Sequence, residues 1–218
     1  QLLLGVDASK DQSYVLSVLD QQQLAHALFP VGEFPKPEVR ALARKFDLPV
    51  AERSDSQDLC FLAGDDYRNF LHRNAAQVEN PGPILTQTEK EVGTHGGLAF
   101  YTIGQRKGLG VSSHVPLYVL QKDTARNALI IGPLEALGQR ELTAGGVNWI
   151  AGEPPEGLFR CEVKIRYKAR ESAATVTPLP EGRVHVAFDE PLRDITPGQA
   201  AVFYAGEVCL GGGLIERP

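Results

Sequence analysis

Charged and apolar residues alternate strictly in one stretch near residue 165. The charged residues all occupy even positions: Arg160, Glu162, Lys164, Arg166, Lys168 and Arg170. The odd positions are mainly apolar, and a period of two is typical of a strand with one buried face. We therefore predict a strand over 158–167 that carries a basic stripe, with cations about 7 Å apart, near the spacing of phosphates in a nucleic acid. An edge strand protected by Lys against aggregation is the alternative.

The first 75 residues have helical spacing instead. Apolar residues at Val39, Leu42, Ala43 and Phe46 predict an amphipathic helix over 37–47. Ser9 with Gln12, and Asp20 with Gln23, have capping-box spacing, so helical turns should follow each pair. One more short helix is expected to start near Asp65.

From Pro81 onward, short apolar runs separated by Gly, Pro and Asn indicate strands. The expected strands are 84–86, 98–103, 117–122, 128–131, 158–167, 174–179, 183–188, 200–204 and 207–210. Short strands at this spacing predict a barrel or a sandwich. The regions 132–138 and 152–157 are the expected linkers.

Composition is that of an ordinary globular protein, with 43% hydrophobic and 22% charged residues. No apolar run approaches a membrane span and no basic signal start is present, so a cytoplasmic protein is expected. The absence of Met predicts that translation began upstream of Gln1. The net charge of −5 conceals a segregation, because residues 100–170 carry 10 basic and 6 acidic side chains. A local positive zone suits a polyanion, although an ordinary solvated face remains the alternative.

The three cysteines show no zinc-ligand spacing, so no metal site is expected. Cys161 and Cys209 fall on apolar phases of predicted strands, whereas Cys60 lies in a polar stretch and is the candidate nucleophile. Asp55 and Asp58 argue against this role, because carboxylates raise the pKa of a thiol. A partly buried, structural Cys60 is therefore the alternative.

Two polar stretches could bind phosphate. Lys10, Asp11 and Gln12 lie in the first turn of a predicted helix, where anions are favoured, although Asp11 could simply stabilise the helix start. The stretch 104–110 places Arg106 and Lys107 among three glycines, where a backbone can approach phosphate closely. Neither the GxxxxGK[ST] nor the GxGxxG pattern is present, so nucleotide binding by these residues is unsupported.

Six motifs together resemble the tRNA-specific 2-thiouridylase family (MnmA/TrmU), in the family's order and over nearly the whole chain. They are Lys10-Asp11-Gln12-Ser13-Tyr14, Phe29-Pro30-Val31-Gly32, residues 54–61, residues 102–110, Thr196-Pro197-Gly198-Gln199 and residues 206–213. The resemblance implies thiolation of the wobble uridine of tRNA, with ATP and Mg²⁺ activating the C2 oxygen. Cys60 aligns with the cysteine whose persulfide sulfur attacks C2, and a disulfide bond is implied for the family.

The same resemblance implies tRNA contacts at named positions. These are Lys10, Asp11, Gln12, Arg166, Tyr167 and Gln199. Tyr167 is out of phase with the basic stripe, so it is expected either to be buried or to be turned outward by a bulge. The resemblance implies that its ring turns outward, toward RNA. A sulfur-relay donor protein is the other implied partner, and a monomer is expected.

The resemblance also implies an α+β multidomain fold in three regions. Residues 1–62 would be the helical remainder of an α/β nucleotide-binding (PP-loop) domain, 63–136 a small mixed central domain, and 137–218 an antiparallel β-barrel. The family's ATP-binding SGGxDS loop and second catalytic cysteine are absent from these residues. We therefore expect the chain alone to dock tRNA and carry sulfur without completing thiolation. A non-catalytic RNA-binding module with a structural Cys60 is the rival hypothesis.

Overall fold

The computed structural model describes residues 1–53, 67–74, 78–193 and 195–217. They fall into two compact units, one formed by Gln1–Arg53 with Gln139–Pro218 and the other by Ser54–Gly138. The described helices are α1 (Ser13–Leu16), α2 (Gln21–Leu24), α3 (Lys36–Lys45) and α4 (Tyr67–Asn74). None of the helices among these residues is long and apolar enough to span a membrane.

The first unit is built on a closed, six-stranded antiparallel barrel. Its strands are β6 (Gln139–Trp149), β7 (Phe159–Lys164), β8 (Ser172–Leu179), β9 (Arg183–Leu192), β10 (Ala200–Ala205) and β11 (Val208–Ile215). The hydrogen-bonded order is β11-β10-β7-β8-β9-β6, and pairing of β6 with β11 closes the ring. Closure satisfies the backbone groups that an open sheet would leave at its edges.

Alternating side chains along the strands fill the barrel interior. In β9, Val184, Val186 and Phe188 are buried while the residues between them are more exposed. Phe203 of β10 is fully buried and stacks on Trp149, with ring centroids 5.5 Å apart. A period of two is what a strand with one buried face requires, and the predicted antiparallel barrel is confirmed.

The segment Gln1–Arg53 lies against the outside of the barrel. A short strand, β1 (Leu2–Leu3), pairs with the first part of β11, which leaves the rest of β11 to pair with β6. A Cβ atom at Gly212 would come within 3.0 Å of Ser17 Oγ, so glycine in β11 permits the close approach of the residue after α1.

The second unit contains a four-stranded mixed sheet. Its strands are β2 (Gly82–Thr86), β3 (Glu91–His95), β4 (Tyr118–Asp123) and β5 (Ala128–Gly132), in the order β3-β2-β5-β4. β2 and β5 are parallel, and the other pairs are antiparallel. Ile84, Val119, Leu129 and Ile131 form its core with Leu109, which comes from the long connection before β4.

Several local predictions were wrong. Residues 98–103 were expected to be a strand, but Leu98–Phe100 form a 3₁₀ helix followed by a turn. The predicted Ser9–Gln12 capping box does not form, because the Ser9 hydroxyl donates to Asp7 Oδ1 and the helix begins at Ser13. The Asp20–Gln23 capping box is confirmed.

Three strands were missed, namely β1, β3 and β6. β1 has two residues, too few to show a period. β6 contains consecutive glycines, Gly145 and Gly146, and its two halves pair with different strands, β9 and then β11. Its polar and glycine-rich sequence therefore obscured the alternation on which the prediction depended.

Candidate nucleic-acid interface

One end of the barrel brings together three segments that are far apart in the sequence. The ring of Tyr14, in α1, lies 6.3 Å from the ring of Tyr167, between centroids. The Tyr14 hydroxyl donates a 3.0 Å hydrogen bond to the carbonyl of Ala200, directly after Gln199. Burial raises the pKa of Tyr14, which keeps this hydroxyl protonated and able to donate. Tyr14 thus connects α1 to two of the predicted tRNA-contacting positions.

Strand pairing explains why the Arg166–Tyr167 pair lies beside Gln199. β7 runs antiparallel to β10, with Lys164 opposite Val202. Continuing that register places the residues after Lys164 next to the start of β10, where Gln199 is found. Gln199 is exposed, and its backbone closes a turn by donating to the carbonyl of Thr196.

The exposure of Tyr167 follows from the end of the strand. β7 stops at Lys164, and a turn follows in which the Ala169 amide donates to the Arg166 carbonyl. Because strand alternation no longer applies, Tyr167 is 40% exposed although it occupies an odd position. From the sequence we expected a buried ring, a bulge, or an outward ring by resemblance, and the structure shows an exposed ring on a turn.

The continuous basic stripe predicted over 160–170 is wrong for the same reason. Arg160 forms a bidentate ion pair with Asp189, with N···O distances of 2.6 and 2.5 Å. Lys164 is buried and lies 3.1 Å from Glu171. Beyond the end of the strand, Arg166, Lys168 and Arg170 are exposed. Apart from Arg160, which is paired with Asp189, the exposed cations of this stretch therefore follow the end of the strand, in the same segment as Tyr167.

Asp11 holds the start of α1 in place. Its Oδ1 accepts the Gly5 amide at 2.8 Å, and its Oδ2 accepts the Ser13 hydroxyl at 2.6 Å. Since Ser13 gives its single hydroxyl proton to Asp11, the Tyr204 hydroxyl, 3.2 Å away, donates to Ser13 Oγ. The Asp11 side chain is therefore buried, and both of its oxygens accept hydrogen bonds within the protein. Its neighbours Lys10 and Gln12 are exposed.

Tyr14 is the residue of this site that sequence reasoning missed. From the sequence it was named only as the last residue of a motif, and the structure shows that its side chain is buried. Its hydroxyl bond to Ala200 and its contact with Tyr167 join residues more than 150 positions apart. No local sequence pattern indicates contacts over such a separation. Tyr14 was nevertheless part of a motif that supported the resemblance.

The candidate nucleophile Cys60 lies outside the described residues. Cys161 and Cys209, which are described, are both free thiols and form no disulfide. Burial raises the pKa of Cys161 to about 12 and that of Cys209 to about 11. Both thiols are therefore protonated near neutral pH, which makes them poor nucleophiles.

Within the described ranges, no group of three or more His, Cys, Asp and Glu side chains could hold a metal ion. No phosphate-binding loop of the GxxxxGK[ST] type occurs in the sequence.

Three family models cover most of the chain in succession. Residues 1–64 match the tRNA methyl transferase HUP domain, 68–133 the tRNA methyl transferase PRC-barrel domain, and 139–215 the aminomethyltransferase beta-barrel domain. The last match spans the closed barrel described above.

Curated relatives match over the whole chain. Proteins named tRNA-specific 2-thiouridylase MnmA are 51% identical in Roseiflexus castenholzii, 49% in Moorella thermoacetica and 47% in Klebsiella pneumoniae. The matches cover 99 to 100% of this chain and 58 to 61% of those relatives, so the chain spans about three fifths of their length. With the domain models in the same order and this identity throughout, the chain belongs to the tRNA-specific 2-thiouridylase family.

Proposed function

We propose that this chain is the tRNA-docking and sulfur-carrying part of a tRNA uridine 2-sulfurtransferase. The observation that carries the proposal is the convergence of Gln12, Tyr167 and Gln199 around Tyr14 at one end of the barrel. Three segments separated by up to 190 residues share one exposed surface there, as a binding site requires. The names of the relatives give that surface its ligand, a tRNA.

Aromatic, cationic and amide groups at this surface suit single-stranded or distorted RNA. An exposed tyrosine can stack on an unpaired base, and Arg166 and Lys168 beside it can contact phosphates. Gln199 offers both a donor and an acceptor to a base edge or to a ribose hydroxyl. Lys10 and Gln12 would add further contacts to the tRNA. The buried Asp11 between them fixes their position through its hydrogen bonds to Gly5 and Ser13.

Cys60 is the proposed sulfur carrier. A persulfide on its thiol would supply the sulfur that replaces the uridine O2, as the family resemblance implies. ATP with Mg²⁺ would supply activation of that oxygen in the complete enzyme, and a sulfur-relay protein would load the thiol. The described residues contribute docking and orientation to this chemistry.

Replacing Tyr167 by Ala tests the docking surface. Base–aromatic stacking is worth about 1–3 kcal/mol per base, so we expect tRNA affinity to fall by about 5- to 150-fold. Gln199→Ala should also weaken binding, whereas Gln139→Ala, at an exposed glutamine on the same barrel, should not. Filter binding at one fixed salt concentration measures all three. Equal affinity of Tyr167→Ala and the unsubstituted chain would refute the docking surface.

The rival function is a non-catalytic RNA-binding module with a structural Cys60, and it is favoured by the two carboxylates near that residue in sequence. Thiol reactivity distinguishes the two functions. We expect Cys60 to be alkylated faster at pH 8 than Cys161 or Cys209, whose raised pKa values make them internal controls. After incubation with a persulfide donor, mass spectrometry should find the added sulfur on Cys60. Reaction of Cys60 no faster than the two buried thiols would favour the module.

A further inference from the structure

The connection before β4, in the second unit, contains an open pocket of about 510 Å³. Its lining is rich in glycine and serine, includes one cation, and contains Arg106, Gly108, Leu109, Gly110, Ser112 and Ser113. We propose that this pocket binds a backbone phosphate of RNA. The inference rests on the proposed function for the identity of the polymer, but the phosphate chemistry is argued from this loop alone.

The base of the loop is held in a defined shape. The Gly104 amide donates to the Val119 carbonyl at 2.8 Å, and the Val119 amide donates back to the Gln105 carbonyl at 3.0 Å. The Gln105 side chain accepts the Thr102 amide and donates to the Lys107 carbonyl. The segment that follows is therefore fixed at its start by two backbone bonds and one side chain.

The tip of the loop is fixed by packing. Leu109 is buried in the core of the sheet, and Val111 packs beside it, 3.3 Å from the position of a Cβ atom on Gly93. Gly108 and Gly110, on either side of Leu109, have φ values of 77° and 68°. Glycine adopts these left-handed positions at little cost, whereas other residues would be strained there. Both glycines line the pocket, on either side of the buried Leu109.

These peptide groups are available as donors. In the part of the chain that the structure describes, no backbone N–H from Arg106 through Ser113 donates a hydrogen bond to the protein. Successive free N–H groups around left-handed residues form a concave anion site of the kind found in phosphate-binding loops. The hydroxyls of Ser112 and Ser113 add further donors.

The local charge is positive. From Val92 through Lys122 the sequence contains no Asp or Glu, and it includes Arg106 and Lys107. Arg106 lines the pocket, and Lys107 is its neighbour in the sequence. Both side chains are exposed, and neither forms an ion pair within the described ranges. An anion would therefore meet free cations and free amides with no carboxylate from this segment to compete.

Because the pocket is open to solvent, it favours a phosphodiester of a polymer over a free phosphate compound. Its polar side chains are exposed, so no desolvated charge is present to bind a small anion tightly. A polymer that is already bound elsewhere on the protein binds more tightly when one further weak contact forms, because that contact forms within the existing complex.

The test combines a salt titration with an NMR titration of the whole chain. For Arg106→Ala/Lys107→Ala, tRNA affinity should fall about two- to fivefold for each cation, the range of exposed ion pairs. The plot of log K against log salt should become shallower by about one for each phosphate that is no longer neutralised. Lys90→Ala, an exposed lysine of the same unit, is the control and should leave both quantities unchanged. The single variants Arg106→Gln and Lys107→Gln repeat the test with less perturbation.

The second readout is the shift of amide NMR signals on addition of inorganic phosphate or ATP, and it does not depend on tRNA docking. Inorganic phosphate at millimolar concentration should shift the amide signals of Gly108, Gly110 and Ser112 in the unsubstituted chain and not in the double variant. Shifts with phosphate but no tRNA binding would overturn the proposed function and the RNA assignment, while retaining an anion site. Saturable shifts with ATP at concentrations where phosphate has no effect would make the pocket a nucleotide site and refute the proposal. An unchanged salt slope together with unshifted amides would exclude the pocket altogether.

Discussion

The barrel and the segment Gln1–Arg53 belong to one compact unit but are stabilised in different ways. The barrel encloses a cluster of thirteen buried residues, and its strands form a closed ring of hydrogen bonds. Besides the ten-residue α3, the segment has two helices of only four residues each, which are too short to be stable alone. Many of its large apolar side chains are exposed, among them Val18 at 71% and Leu28 at 90%.

This segment buries few apolar side chains, and hydrogen bonds to the barrel help to hold it in place. The Asn148 side-chain amide in β6 donates to the carbonyls of Ser17 and Leu19, which follow α1. Gln21 donates to the carbonyl of Ile150, and Tyr14 to that of Ala200. Carbonyls near a helix end lack partners within the helix, so barrel side chains that reach them also decide where α1 stops. The barrel therefore provides the framework on which the candidate tRNA surface is assembled.

The largest expected effect is on the barrel core. Phe203→Ala removes a fully buried ring that stacks on Trp149, and such truncations cost about 3–5 kcal/mol of unfolding free energy. Urea denaturation followed by tryptophan fluorescence measures the change. Because the segment depends on the barrel, its amide protection should fall together with that of the strands.

Leu158→Ala is the control for this variant, since Leu158 is 69% exposed just before β7. Its expected change in unfolding free energy is within about 0.5 kcal/mol. Retention of protection in residues 13–24 of Phe203→Ala, after the strands have lost theirs, would show that the segment folds independently of the barrel.

A smaller and more local effect is expected from Asn148→Ala. Two carbonyls lose their shared donor, and removing a partner from such groups costs about 1–3 kcal/mol. Hydrogen exchange should accelerate in residues 13–24 while the amides of β8 and β9 remain protected. Uniform acceleration across the barrel would instead mean that Asn148 stabilises the whole unit and that the two regions do not differ as described.

His185→Ala is a suitable comparison for the asparagine variant, because His185 lies in β9 and its ring contacts Glu141, in β6, rather than the segment. Exchange in residues 13–24 should not respond to that substitution. A response would indicate that any surface change on the barrel loosens the segment.

The pattern of apolar and polar residues determined much of the barrel in advance. Strand β7 was predicted from a period of two, and β8 to β10 were predicted from short apolar runs bounded by Gly, Pro and Asn. Helix α3 was predicted by spacing of three and four, together with Pro37 in its first turn. The motifs of the chain likewise indicated its family, which the relatives confirm.

Only the tertiary structure decided where these elements end and which residues meet. Nothing local in 160–170 shows that β7 stops at Lys164, because the alternation of charges continues beyond the strand. The contact between Tyr14 and Tyr167 depends on closure of the barrel and on the register of β7 with β10. A periodic pattern records which face of an element is buried, whereas strand ends and long-range contacts depend on partners that lie elsewhere in the chain.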